Sequence, residues 1–315
     1  MQAFTHFVAL TGPLFALVAL GYALAAWGSW PLSAADALTR FVFSIAIPVL
    51  LFKLMSGFSR MPPVDPAILI AYFGGCVIVF VVGRLAALWI FRLDGAAQSV
   101  FALGGIFSNN VLLGIPLAKL TLGEAVMPAF SLVLVFNALL LWTLVSVSVE
   151  WARHGDLSLA GIGKTVKEVA ANPIVIGIFA GTAWSYTGVG LPGPIDTMMT
   201  LISQAAVPLS LIALGMGLAE YGIRNDWQQS VVITSIKLVV FPLTVFALAH
   251  LLALPAHETQ AVVLMAALPV GANVYLMSRQ FDTLGGPVAA SLVLSTALAA
   301  LSTPLVLTLL GAGAT

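Results

Sequence analysis

Residues 104–120 read GGIFSNNVLLGIPLAKL, an apolar stretch interrupted by Gly104, Gly105, Ser108, Asn109, Asn110, Gly114 and Pro116. Proline removes a helix donor and glycine weakens a helix. Side-chain amides in hydrocarbon are costly unless paired or turned toward a cavity. Residues 266–281, AALPVGANVYLMSRQF, carry the same mixture, with Pro269, Gly271 and Asn273. Two apolar stretches are therefore expected to break partway along their length.

Around them lie further apolar runs of on the order of 20 residues, the length that crosses a bilayer. They fall at 7–26, 34–56, 67–90, 97–119, 126–149, 171–188, 198–219, 229–253, 260–280 and 285–311. The interrupted stretches are the fourth and ninth of these ten. The whole chain is 61 % hydrophobic and 8 % charged, where a soluble domain has about 25 % charged residues. Lipid is the expected solvent. The net charge is zero, and no basic tract suggests nucleic acid. The single cysteine, Cys76, excludes an intrachain disulfide and reads as a small buried apolar residue. The first twelve residues, MQAFTHFVALTG, lack a positive n-region, so the first run is expected to stay as a membrane helix.

An internal offset of 160 residues organises the chain. Pro13 pairs with Pro173, Gly21 with Gly181, Pro48 with Pro208 and Gly57 with Gly217. Ser131-Leu132-Val133-Leu134 recurs as Ser291-Leu292-Val293-Leu294. A repeat of five spans is odd, so the second copy enters the membrane upside down. The expectation is an all-α membrane protein: ten transmembrane helices as two inverted five-helix repeats, with broken crossover helices four and nine. Residues 1–150 form the first repeat, 151–170 a cytoplasmic connector and 171–315 the second repeat. Pro48 and Pro208 read as structural kinks. Lys and Arg favour cytoplasmic loops. Connectors after odd spans hold or adjoin Arg84, Arg92, Arg153, Lys164, Lys167, Arg224 and Arg279, against Lys53, Arg60 and Lys119 after even ones. Both termini are expected outside.

Interrupted segments at matching positions of two repeats point to a binding site at the midplane. Each break exposes N–H groups at the start of a half-helix, where the dipole is positive. Asn109, Asn110 and Asn273 add amide donors there, the alternative for them being bonds between packed helices. All twelve carboxylates fall in connectors or near span ends, which disfavours a cation site. Lys237 stands mid-span in TSIKLVVFPL. It reads either as a contributor to an anion site or as a lysine satisfied by backbone carbonyls. His250 reads as interfacial, and Gln204 could reach the cavity.

The broken stretches resemble the auxin efflux carrier family, which includes plant PIN proteins and bacterial organic-acid carriers. Asn109 to Ala118 (NNVLLGIPLA) is similar to the family's fourth-span signature, and Leu268 to Tyr275 (LPVGANVY) to the bacterial form of its ninth-span motif. The resemblance covers nearly the whole chain. It implies a scaffold of helices 1, 2, 6 and 7 that also forms a homodimer. It implies a transport unit of helices 3–5 and 8–10, elevator-type alternating access, and a bacterial inner membrane. Carried onto this chain, it places the substrate at Asn109, Pro116 and the segment Pro269, Gly271, Ala272 and Asn273. Asn273-Val274 stands where plant members have a second proline, and the central connector is short, so a malonate-like acid is expected over auxin.

Two rivals remain at this level, an exporter of an auxin-like aromatic acid and an anion channel. A channel needs a continuous polar lining, which the scarcity of polar residues outside spans four and nine disfavours. No metal or cofactor pattern is present, and an enzyme is not expected: His257-Glu258 has no second histidine four residues on.

Overall fold

Prolines and short polar side chains decide where the helices of this chain stop. The computed structural model describes residues 2–28, 30–60, 64–154, 171, 173–221 and 227–311. The connector expected at 151–170 therefore lies mostly outside the described residues, as do Lys164, Lys167 and Arg224.

We label the helical elements in chain order. They are α1 (Gln2–Ala26) and α2 (Leu32–Phe41, a π turn at Val42–Ala46, then Ile47–Met55). Next come α3 (Ala67–Phe91), α4a (Gly95–Ile106), α4b (Asn110–Leu122) and α5 (Met127–His154). The remainder are α6 (Pro173–Tyr186), α7 (Gly193–Tyr221), α8 (Trp227–Leu251), α9a (Ala256–Ala267), α9b (Ala272–Gln280) and α10 (Gly285–Leu309). Their ends fall within a few residues of the apolar runs marked in the sequence. Seven of them, α1, α2, α3, α5, α7, α8 and α10, are long and apolar enough to cross a membrane. The described residues form no strand, only an isolated bridge between Ser108 and Val270.

Three π turns share one cause. Val42–Ala46, Asn110–Gly114 and Ile236–Val240 are each followed at the second position by a proline: Pro48, Pro116 and Pro242. A proline ring strikes the carbonyl one turn back and offers no N–H. A widened turn relieves both. Pro208 does not interrupt α7, which stays α-helical throughout. The kink expected at Pro48 thus takes the form of a π turn, and no π turn accompanies Pro208.

Glycines set the closest helix contacts. A methyl group at Gly21 of α1 would sit 2.2 Å from the Ile212 carbonyl oxygen of α7. One at Gly181 of α6 would sit 2.4 Å from that of Phe52 in α2. Gly181 follows Gly21 by 160 residues and Ile212 follows Phe52 by 160, so the contacts exchange under a single offset. Elsewhere α3 packs on α4a and α8, α8 on α9a and α10, and α5 on α4a. Large apolar side chains such as Ile70, Trp89, Phe179 and Leu243 are exposed, as suits a lipid solvent.

Side-chain hydrogen bonds sort the helices into two groups. Among α2, the short turn at Phe58–Arg60 after it, α6 and α7, Ser59 bonds Ser185, and Lys53 pairs with Asp196 at 3.0 Å. Within α3–α5 and α8–α10, Arg84 bonds Ser148, Ser230 donates to Pro287 and Arg153 to Phe281. One bond between described residues crosses the division: Ser210 Oγ of α7 donates to the Leu112 carbonyl of α4b at 3.1 Å.

The sequence reading placed every carboxylate in a connector or near a span end. Glu258 is at such an end, in the first turn of α9a, yet it is buried. Its Oε1 accepts the Asp65 N–H at 3.0 Å, tying the start of α9a to that of α3.

Candidate functional site

Both interruptions have local causes. In the ninth stretch, Pro269 cannot continue α9a, and the residue before it, Leu268, is extended, as proline demands. In the fourth, Ser108, Asn109 and Asn110 offer the backbone alternatives to helix. Phe107 turns extended, and Asn109 takes φ −76°, ψ 63°.

The two unwound segments meet. Asn109 N–H donates to the Pro269 carbonyl at 2.9 Å, and Gly271 N–H to the Phe107 carbonyl at 2.8 Å. These flank the antiparallel Ser108–Val270 bridge. The Val270 N–H is taken by Ser295 Oγ of α10 at 3.0 Å, so the crossing is pinned from a third helix. Gly271 permits the approach: a Cβ there would lie 2.9 Å from the Ser108 carbonyl oxygen. Its φ is −82°, so closeness and not backbone freedom is what requires glycine.

A cavity of about 80 Å³ adjoins the crossing. Of the sequence-expected residues, Asn109, Asn110, Gly271, Ala272 and Asn273 line it. Pro269 does not line it, its carbonyl accepting the Asn109 N–H, and Pro116 is buried further along α4b, past the π turn. The cavity holds the starts of both α4b and α9b, and neither start is capped by a side chain. The first N–H groups of a helix have no intrahelical acceptors. Asn109 Nδ2, Asn110 Oδ1 and Asn137 Oδ1 are buried here without hydrogen-bond partners. A buried polar atom left unpaired costs about 1–3 kcal/mol, so an orphan group of this kind needs an explanation. No residue lining the cavity is charged.

Lys237 lies apart from the cavity. Its ammonium is buried, donates to the Ala266 carbonyl and stands 4.8 Å from the centre of the Phe241 ring. Of the two sequence readings, carbonyl satisfaction describes its contacts.

The sequence reading missed Asn137, a buried amide on α5. An amide within the apolar run FNALLL was its available signal. It also missed the wall opposite the crossing, where Phe43 of α2 and Ile174 and Val175 of α6 close the cavity. Nothing in those apolar residues distinguishes them from core. Gln204 lines a second cavity of about 570 Å³, between the later ends of α2 and α6, the start of α7 and the end of α4b. That cavity carries Lys53, Arg60 and Lys119 against Glu124 and Asp196.

Comparison with known proteins agrees with this architecture. A protein of Rhizobium meliloti (strain 1021) named "Putative malonate transporter" is 26 % identical over 304 residues, covering 96 % of this chain and 95 % of that one. An uncharacterized transporter of Methanothermobacter thermautotrophicus is 25 % identical over 297 residues, covering 92 % and 93 %. The membrane transport protein family matches over residues 6–307. With that match extending over nearly all of its length, this chain is a membrane transporter, not an enzyme, and belongs to the membrane transport protein family, the auxin efflux carrier (PIN-like) family whose motifs its broken helices carry.

Proposed function

We propose that this chain is a secondary transporter of a small organic anion, a malonate-like mono- or dicarboxylate, bound where the broken helices four and nine cross. The observation that carries the reading is the convergence of two uncapped helix starts and the unpaired Asn109 Nδ2 donor on one small uncharged cavity. Carboxylate oxygens accept from amide and backbone N–H groups, and the positive dipole ends favour them. Asn109 Nδ2 is a ready donor. Asn110 and Asn137 supply a donor by their own NH₂ groups, and Asn273 stands at the first turn of α9b. The cavity's volume of about 80 Å³ suits an acid of a few carbons and disfavours an indole-sized one. The relative named for malonate supports that acid class.

The mechanism in this reading is an elevator. Helices 1, 2, 6 and 7 are the scaffold, which also pairs two protomers, and helices 3–5 and 8–10 carry the substrate. The hydrogen-bond sorting of the helices supports two bodies, since among the described residues Ser210 to Leu112 is the side-chain bond that crosses between them. The exchange of the Gly21–Ile212 and Gly181–Phe52 contacts supports ten spans in two inverted repeats, 1–150 and 171–315. The chain sits in a bacterial inner membrane with both termini outside, on the asymmetry of Lys and Arg. The larger charged cavity then opens outside and collects anions.

Uptake into proteoliposomes by the purified chain tests this. Malonate, succinate, lactate and indole-3-acetate form the panel. Saturable uptake of a small dicarboxylate is expected, and Asn109→Ala with Asn273→Ala should abolish it at unchanged expression. Uptake of none of the panel, or full uptake by the double variant, defeats the proposal.

A further inference from the structure

The uncapped starts of crossed broken helices favour an anion at contact distance only. Four half-helix ends meet here: the starts of α4b and α9b, and the finishes of α4a at Ile106 and α9a at Ala267. Starts carry about half a positive charge and finishes about half a negative one. Beyond the first contact distance the four nearly cancel. An anion preference that reaches beyond contact therefore needs one finish to be neutralised.

Lys237 is placed to do this. Its ammonium donates to the carbonyl of Ala266, the penultimate residue of α9a, and so occupies that negative end. It is fully buried, and among the described residues no carboxylate pairs with it. It also stands over the face of Phe241. The edge of that ring meets Tyr72, whose hydroxyl accepts from Asn110 Nδ2 at 3.4 Å. The charge thus stands one aromatic pair away from a residue that lines the cavity. A buried charge without a counter-ion is expensive, and such residues in membrane segments mark function.

We infer that Lys237 sets the charge preference of the crossover site from behind α9a, as a positioning and electrostatic residue that never touches the substrate. The inference rests on the anion reading above. It also makes a demand that packing alone does not. Coulomb energy is linear in ligand charge, so the loss on removing Lys237 must scale with that charge.

The test uses the full-length purified chain and three ligands of one skeleton: malonate, monomethyl malonate and dimethyl malonate. Binding is measured by calorimetry at pH 7.5 for the wild type, Lys237→Gln and Lys237→Arg. Gln keeps a donor for Ala266 while removing the charge, and Arg keeps the charge. Gln should weaken the dianion by the square of its effect on the monoanion, for instance about tenfold against about threefold, and leave the neutral diester unchanged. Arg should restore the charge dependence. Equal losses for all three ligands assign Lys237 to packing and overturn the inference, as does no loss at all. Should Lys237→Gln not fold, Lys237→Met takes its place under the same criterion. If neither folds, Lys237 is structural and the inference fails. A wild type that binds no malonate, by contrast, defeats the anion reading itself.

Discussion

Gly271→Ala probes the crossing at its tightest point. The added Cβ would stand 2.9 Å from the Ser108 carbonyl oxygen and 3.1 Å from the Phe107 ring, where ordinary contact begins at 3.4 Å. Relief requires the two unwound segments to part by about half an ångström, because the obstacle is backbone and cannot rotate away. Parting lengthens the Gly271–Phe107 and Asn109–Pro269 hydrogen bonds, now 2.8 and 2.9 Å, past the usual 3.2 Å limit. Overpacking of this kind costs about 1–3 kcal/mol, and the stiffer unfolded chain returns about 0.4–1 kcal/mol. The net loss is about 1–2 kcal/mol, visible in thermal unfolding of the detergent-purified protein. Transport should fall at least tenfold, because the displaced segments form the cavity itself. Gly217→Ala is the control: it lies in α7 with nothing within 4 Å of the new methyl. It should be neutral or stabilising by up to about 1 kcal/mol, as alanine is in a helix interior. A Gly271→Ala protein that matches the Gly217→Ala protein in both stability and uptake would refute the crossing as the transport site.

Three other changes separate stability from function. Asn137→Leu removes an orphaned buried amide, so unfolding should rise in cost by about 1 kcal/mol while malonate uptake falls; uptake that stays unchanged removes Asn137 from the site. Ser210→Ala deletes the hydroxyl bond between the two bodies. That bond is shared with the Val207 carbonyl, so the balance of inward and outward forms should move by about twofold to fivefold. Distances between spin labels on α7 and α4b read this, and an unmoved distribution shows that the Ser210 bond does not couple the two bodies. Gly215→Ala places a methyl 1.9 Å from the Val18 carbonyl oxygen and should abolish expression of folded protein; normal yield contradicts the α1–α7 packing.

Much of this was legible in the sequence because lipid makes the backbone's requirements strict. Helix ends followed the apolar runs closely, since a span must satisfy its own N–H and C=O groups. Both breaks were readable for the same reason: Pro269 and the Asn109-Asn110 pair are costly there unless they interrupt the helix. What escaped was everything that depends on which helix lies opposite. Lys237 advertised a buried cation, but only packing reveals that its partner is Ala266. Asn137 resembles any interhelical amide until the cavity is seen beside it. Glu258 stands at a helix end, as read, and its burial comes from the turn before α3, a neighbour that periodicity does not disclose.

The two breaks solve one requirement with different chemistry, and this bears on how the site moves. Helix nine is interrupted by a proline, which fixes its own φ and forbids the bond that would heal the helix. Helix four is interrupted by polar side chains and continued by a π turn, with the Gly114 N–H reaching back to the Asn109 carbonyl at 3.0 Å. No covalent constraint holds that second break open. Backbone bonds to Pro269 and Gly271 hold it, and the orphaned amide atoms at the cavity, Asn109 Nδ2, Asn110 Oδ1 and Asn137 Oδ1, belong to helices four and five, not nine. A carboxylate that accepts from Asn109 Nδ2 would therefore order the fourth helix more than the ninth. On these grounds hydrogen exchange should slow on malonate binding at residues 109–114 and hold steady at 268–273, and equal protection of both segments would show that the two breaks are held alike.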